Sequence, residues 1–195
     1  MDALTQQLMQ ALSGEGISQV SQKIGSDQRT TSSALTAAVP LLVSALANNA
    51  SKPDGAQALH QALTQDHDGS ILNDLSGFLG NPQAANGTGI LGHILGDQQP
   101  AVTQGLAQNT GLNSAQIGQL LQIAAPLLMG ALGQQQQQQG LNPNSLSAFL
   151  GSQQQAAQQA NPDMMSTLNS LLDMNRSGSA LDDILGFLGK LFGRR

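Results

Sequence analysis

The chain has 195 residues, 39% hydrophobic but only 2% aromatic, with no Cys, Trp or Tyr and a net charge of −5. That length allows one domain or two small ones, and the missing cysteines exclude disulfides and thiolate metal sites. Charged residues make up 10% of the chain and the balance is negative, which argues against a broad nucleic-acid-binding face. The core has to come from Leu, Ile, Val, Ala and Met, a palette that suits helices better than strands.

From the N-terminus, residues 1–12 have no basic start and no continuous apolar run, so no signal peptide is read there. No continuous apolar stretch reaches the roughly 18–20 residues of a membrane span. A soluble cytoplasmic protein is the expectation. Leu4, Leu8, Met9 and Leu12 form a helical stripe over residues 2–12, and Ile17, Val20 and Ile24 form a second, ending at Gly25. Asp27 stands where an N-cap belongs, ahead of a long helix to about Asn49. Pro40 interrupts that helix, either kinking it or opening a new one. Lys52-Pro53-Asp54-Gly55 reads as a turn, with a short helix over residues 56–63.

Residues 68–80, Asp-Gly-Ser-Ile-Leu-Asn-Asp-Leu-Ser-Gly-Phe-Leu-Gly, return as residues 177–189, Ser-Gly-Ser-Ala-Leu-Asp-Asp-Ile-Leu-Gly-Phe-Leu-Gly. Ser70 and Ser179 are candidate N-caps, Gly80 and Gly189 candidate stops, and Phe78 and Phe187 candidate apolar anchors. Leu146 to Gly151 is a shorter echo of the same pattern. Residues 87–96 hold a turn or two of helix, and another short helix lies around residues 102–109.

A second repeat is longer. Ala38-Val39-Pro40-Leu41-Leu42-Val43-Ser44-Ala45-Leu46 comes back 86 residues later as Ala124-Ala125-Pro126-Leu127-Leu128-Met129-Gly130-Ala131-Leu132, identical at six of nine positions. Gly25 and Gly111 share the offset, as do Leu35 and Leu121. A repeated apolar segment with its proline in the same place implies a repeated structural unit, spanning about 16–49 and 102–133. Small residues in it (Ala38, Ala45, Ala124, Gly130, Ala131) permit close helix packing. Residues 134–139 are six glutamines, and residues 152–160 are almost entirely Gln and Ala. Such tracts read as mobile spacers. The expected organisation is therefore a helical region over 1–133, a Gln-rich linker over 134–161 and a C-terminal helical segment over 162–195.

Chemistry is sparse. Residues 106–120 fit a helix-turn-helix spacing around Gly111, and residues 20–34 fit it less well around Gly25. That geometry packs two helices steeply and need not touch DNA. Residues 112–133 contain no Lys or Arg, and the first copy offers only Lys23 and Arg29 as nucleic-acid contacts. Asp66-His67-Asp68-Gly69-Ser70 lacks the glycine and glutamate positions of a calcium loop, so it reads as a loop with a cap. His60, His67 and His93 lack zinc spacing and read as surface residues. No nucleophile elbow or phosphate loop is present. Gly87-Thr88-Gly89-Ile90-Leu91-Gly92 has dinucleotide spacing by letters only, with no strand before it. No catalytic residue, cofactor, metal or small-molecule substrate is expected. Leu181, Ile184, Leu185, Leu188, Leu191 and Phe192 make one apolar face before Arg194-Arg195, so residues 180–195 are a candidate membrane or partner contact.

The run Val20-Ser21-Gln22-Lys23-Ile24-Gly25, then Thr31-Ser32-Ser33-Ala34-Leu35, Pro40 and Ala45-Leu46, resembles the YidB-like bacterial proteins, a domain-of-unknown-function family (number 937). Residues 106–132 carry the same spacing. The resemblance covers roughly residues 1–133 and implies an all-α, homeodomain-like fold, here duplicated. It brings no catalytic residues. The expected function is a non-enzymatic helical interaction or scaffold module with a protein partner or self-association, built on Gly25, Pro40, Leu41, Leu42, Leu46, Gly111, Pro126, Leu127, Leu128, Leu132, Phe78 and Phe187. The alternatives are a homeodomain-like nucleic-acid-binding regulator and a peripheral membrane protein held by its C-terminal helix.

Overall fold

In the computed structural model the second helix of the chain ends at a glycine. The structure describes residues 3–160 and Pro162. Helix α1 (Ala3–Ala11) is followed by α2 (Glu15–Ile24), which ends at Gly25 in the left-handed region, φ 67° and ψ 45°. A side chain there would be strained, so glycine sets the stop. The extended Asp27 then accepts the Thr30 N–H at 2.9 Å and opens α3 (Gln28–Ala50). Next come α4 (Pro53–Gln65), α5 (Leu75–Gly80), α6 (Gly87–Leu95), α7 (Gln99–Thr110), α8 (Ser114–Gln139) and α9 (Pro143–Ala160). Short 3₁₀ turns at Ser70–Leu72, Pro82–Ala85 and Gly96–Gln98 join some of them. The described residues are all helix, turn and loop, with no strand.

Helices α3 and α8 form the centre and pack on each other. Both are also covered by α1, α2, α4, α6 and α7, and α9 lies along α3. Residues 37–47 and residues 123–133 are buried without interruption. A helix apolar on every side has to sit inside a protein or a bilayer. By length and composition both helices are able to cross a membrane, contrary to the expectation above. That expectation required a continuous apolar run, whereas a helix-long average tolerates Ser, Thr and Gln between the leucines. In this fold 78% and 72% of those windows are buried inside the protein.

The two long helices match position by position. All fifteen buried residues of α3, from Thr31 to Ala50, have a buried counterpart in α8 at an offset of 86, from Ile117 to Gln136. Pro40 and Pro126 each lie inside one continuous helix, so neither opens a new one.

The glutamine tract departs from its expected role as a spacer. Residues 134–139 complete α8 and hold its neighbours in place. Gln7 Nε2 of α1 donates to Gln134 Oε1 at 2.7 Å, and Gln135 Nε2 donates to Gln7 Oε1 at 3.3 Å. Gln136 Nε2 donates to Thr64 Oγ1 of α4 at 2.9 Å, and Gln137 Nε2 to the Asp68 carbonyl at 3.0 Å. Residues 152–160 likewise belong to α9, which buries Leu146, Leu150 and Ala157. Glutamine is a good helix former, and its two-sided amide lets one face of the tract bond neighbours while another faces water. Composition alone does not distinguish that helix from a tether.

Two local expectations also shift. Pro53 is the first residue of α4, not part of a preceding turn; a missing N–H costs nothing at that position. Ser70 does not cap a helix. Asp68 Oδ1 accepts the Ser70 N–H at 2.9 Å in a tight loop, and the cap of α5 is Asp74, which accepts the Gly77 N–H at 2.9 Å. The C-terminal helical segment, Ser179 and Phe187 lie outside the described residues.

Candidate functional site

At both places where the sequence has a helix-turn-helix spacing, a helix ends at a left-handed glycine and a side-chain-capped helix follows. The α7–α8 corner turns through Gly111 at φ 76°. Asn113 Oδ1 accepts the Gln116 N–H at 2.9 Å, while Gln116 Oε1 accepts the Asn113 N–H at 3.0 Å, a reciprocal capping box. Asp27 and Thr30 hold the equivalent positions at the other corner, where the backbone bond is the same.

Gln116 does more than cap. Its Nε2 donates to the Ile24 carbonyl at 3.1 Å and to the Gly25 carbonyl at 2.9 Å. One side chain at the start of α8 thus closes the C-terminus of α2, 91 residues away. A DNA-reading helix needs its early polar side chains turned outward to base edges; this one is turned into the protein. Sequence reasoning missed Gln116, although the Asn-x-x-Gln spacing before an apolar run announces a capping box.

Lys23 and Arg29 are both exposed, one in the last turn of α2 and the other in the first turn of α3. Lys23 Nζ lies 3.5 Å from the Gly80 carbonyl at the end of α5. It also borders a cleft of about 240 Å³ lined by Asn86, Thr88, Gln119 and Gln122. Asp27 is fully exposed, and its carboxyl is held below the ordinary value by the Thr30 hydrogen bonds.

The predicted interaction residues are mostly interior. Pro40, Leu41, Leu42, Leu46, Pro126, Leu127, Leu128 and Leu132 are all buried in the shared core, and Gly25 and Gly111 are the turn residues. Phe78 is only half-buried; the buried anchor of α5 is its neighbour Leu79. Small residues do allow close approach, but at Gly130 and Gly133 the partner is a loop. A Cβ on Gly133 would fall on the His67 carbonyl, and one on Gly130 on the Ile71 side chain.

The histidines are less alike than expected. His93 is exposed, while His60 and His67 are half-buried. His67 titrates below its ordinary value because burial penalises the imidazolium, partly opposed by the charge of Asp66. Asp66, His67, Asp68 and His93 border a cleft of about 550 Å³. Among the described residues no three His, Asp or Glu side chains are grouped to hold a metal.

The model of a bacterial protein family of unknown function, DUF937, matches residues 6–135. No curated protein matches the chain, and no solved structure matches it.

Proposed function

The chain belongs to the DUF937 family of bacterial proteins, whose function is unknown, and we propose from its own residues that it is a non-enzymatic helical module that self-associates. The observation that carries this reading is the matched burial of α3 and α8. Two stretches of similar sequence bury the same fifteen positions in one core and pack on each other. A unit that packs on its own copy within a chain can meet the same complement in a second chain by exchange of an equivalent element, a low-cost route to a dimer. The exterior fits: with 7 cations and 12 carboxylates in 195 residues, it is carried by amides and hydroxyls. A cytoplasmic location is part of this proposal.

Light scattering on the full chain tests it. The expected mass is at least twice the 20.1 kDa of one chain. A single-chain mass at every concentration, with no protein partner recovered, would overturn it.

The nucleic-acid alternative draws on Lys23 and Arg29, exposed on the two helices of the first corner. Retention on DNA that weakens with salt and disappears in the Lys23→Ala, Arg29→Ala double variant would replace the proposal. No retention at low salt would end the alternative. Membrane contact through residues 180–195 requires liposome co-sedimentation that is lost on truncation after Asn175.

A further inference from the structure

Asn86-Gly87 is the only Asn-Gly pair in the sequence. A glycine after asparagine leaves the next main-chain nitrogen without a hindering side chain, so this is the pair most open to ring closure between neighbours. The fold puts it at the start of α6. Asn86 is exposed and is the one non-glycine residue at positive φ among the described residues, at φ 50° and ψ 42°. It caps the helix by accepting the Gly89 N–H at 3.3 Å, a long bond of its kind. Gly87 is buried against α8, where a Cβ would fall on the Gln122 carbonyl, and a Cβ on Gly89 would meet the Asn86 amide that caps it. The first turn is therefore weak: two of its first three residues are glycines, with the lowest helix propensity after proline. Ile90, Leu91, Ile94 and Leu95 anchor the rest of α6 in the core, so its first turn opens at least cost.

We propose that Asn86 is a covalent modification site, gated by that first turn and converted without an enzyme. The Gly87 nitrogen gives up its proton to hydroxide and attacks the side-chain carbonyl carbon of Asn86. A new C–N bond forms, the bond to the amide nitrogen breaks, and ammonia leaves a five-membered succinimide ring. Water then opens the ring at either carbonyl. One opening yields an aspartate and the other an isoaspartate, whose main chain runs through the side-chain carbons. One water is consumed and one ammonia released, with no oxidation or reduction.

In the closed helix the step is blocked. A left-handed residue has its Cβ beside its own carbonyl oxygen, and so on the far side from the Gly87 nitrogen that has to reach the side chain. Ring closure requires Asn86 to swing round and release Gly89. The two products then differ in what they allow. An aspartate caps a helix as well as asparagine does, and its charge suits a helix N-terminus. Lys23 borders the same cleft as Asn86 and supplies a cation on that side. An isoaspartate adds one main-chain carbon just before Gly87, where the contact with the Gln122 carbonyl leaves no slack. It keeps the first turn from closing again, so the chain carries a permanent mark of having opened. None of this depends on self-association.

The test incubates the full-length protein in warm, mildly alkaline buffer. Peptide mapping by mass spectrometry follows the gain of one mass unit at residue 86, which separates this reaction from isomerisation at Asp54-Gly55 and Asp68-Gly69, where mass is unchanged. The native protein should convert at a measurable rate, at least tenfold below that of the same chain in guanidinium. Gly89→Ala displaces the cap and should raise the native rate at least threefold. The isoaspartyl fraction, isolated by ion exchange, should lose amide-exchange protection over residues 87–91, whereas Asn86→Asp keeps it. A native rate equal to the unfolded one, no conversion at residue 86 while the unfolded chain converts, or an isoaspartyl fraction with full protection would overturn the proposal.

Discussion

Gly118 and Gly133 occupy the same helix and differ in what a methyl group would meet. Gly118 faces open space, whereas Gly133 lies under the His67 carbonyl. Gly118→Ala should therefore be neutral or stabilise by up to about 1 kcal/mol through helix propensity. Gly133→Ala should destabilise by about 1–3 kcal/mol, because the loop or the helix has to move. Urea midpoints with an unchanged slope would check both, and equal midpoints for the two variants would contradict the packing described here. His67 makes a pH prediction. Its folded-state value lies below 6.5, so between the two values the unfolded chain binds more protons and stability rises with pH. The contribution is complete above about pH 6.5 and is lost as pH falls below that. His67→Gln should flatten the fall in melting temperature between pH 7 and 5; an unchanged slope would place the dependence elsewhere.

At the scale of elements, Gln116 and the glutamine tract decide how helices meet. Gln116→Ala removes half of a capping box and two bonds to the end of α2, at a cost of about 1–2 kcal/mol. Amide exchange should then quicken at the α2 C-terminus as well as at the start of α8. Exchange faster only in α8 would mean that the link to α2 carries no weight. Replacing residues 134–139 with a Gly-Ser stretch separates packed helix from spacer. The structure requires a lower melting temperature and lost protection in α1 and α4; a spacer would leave both unchanged. The corners were legible in the sequence, since Gly25, Asp27 and Gly111 are local signals with local causes. The tract was not legible, because a polar helix reveals its place only through the partners of its amides.

At the scale of the whole molecule, the family match ends at residue 135, yet α9 beyond it lies along α3 and buries Leu146 and Leu150. Each buried leucine is worth about 1.5–3 kcal/mol, so the pair is a large share of the total stability of a small domain, about 5–15 kcal/mol. Truncation after Gly140 should abolish cooperative unfolding or lower its midpoint sharply; an unchanged transition would show that α9 is dispensable. By itself the sequence determined that the chain is helical, where its early helices start and stop, and that one apolar block occurs twice. Those properties follow from propensity, capping and periodicity, which act over a few residues. Only the tertiary structure decided that the two blocks share one core, that Gln116 faces inward, and that the glutamines hold α1 and α4. Each of these depends on which surfaces exclude water together, a relation between residues far apart in the chain that no local pattern records.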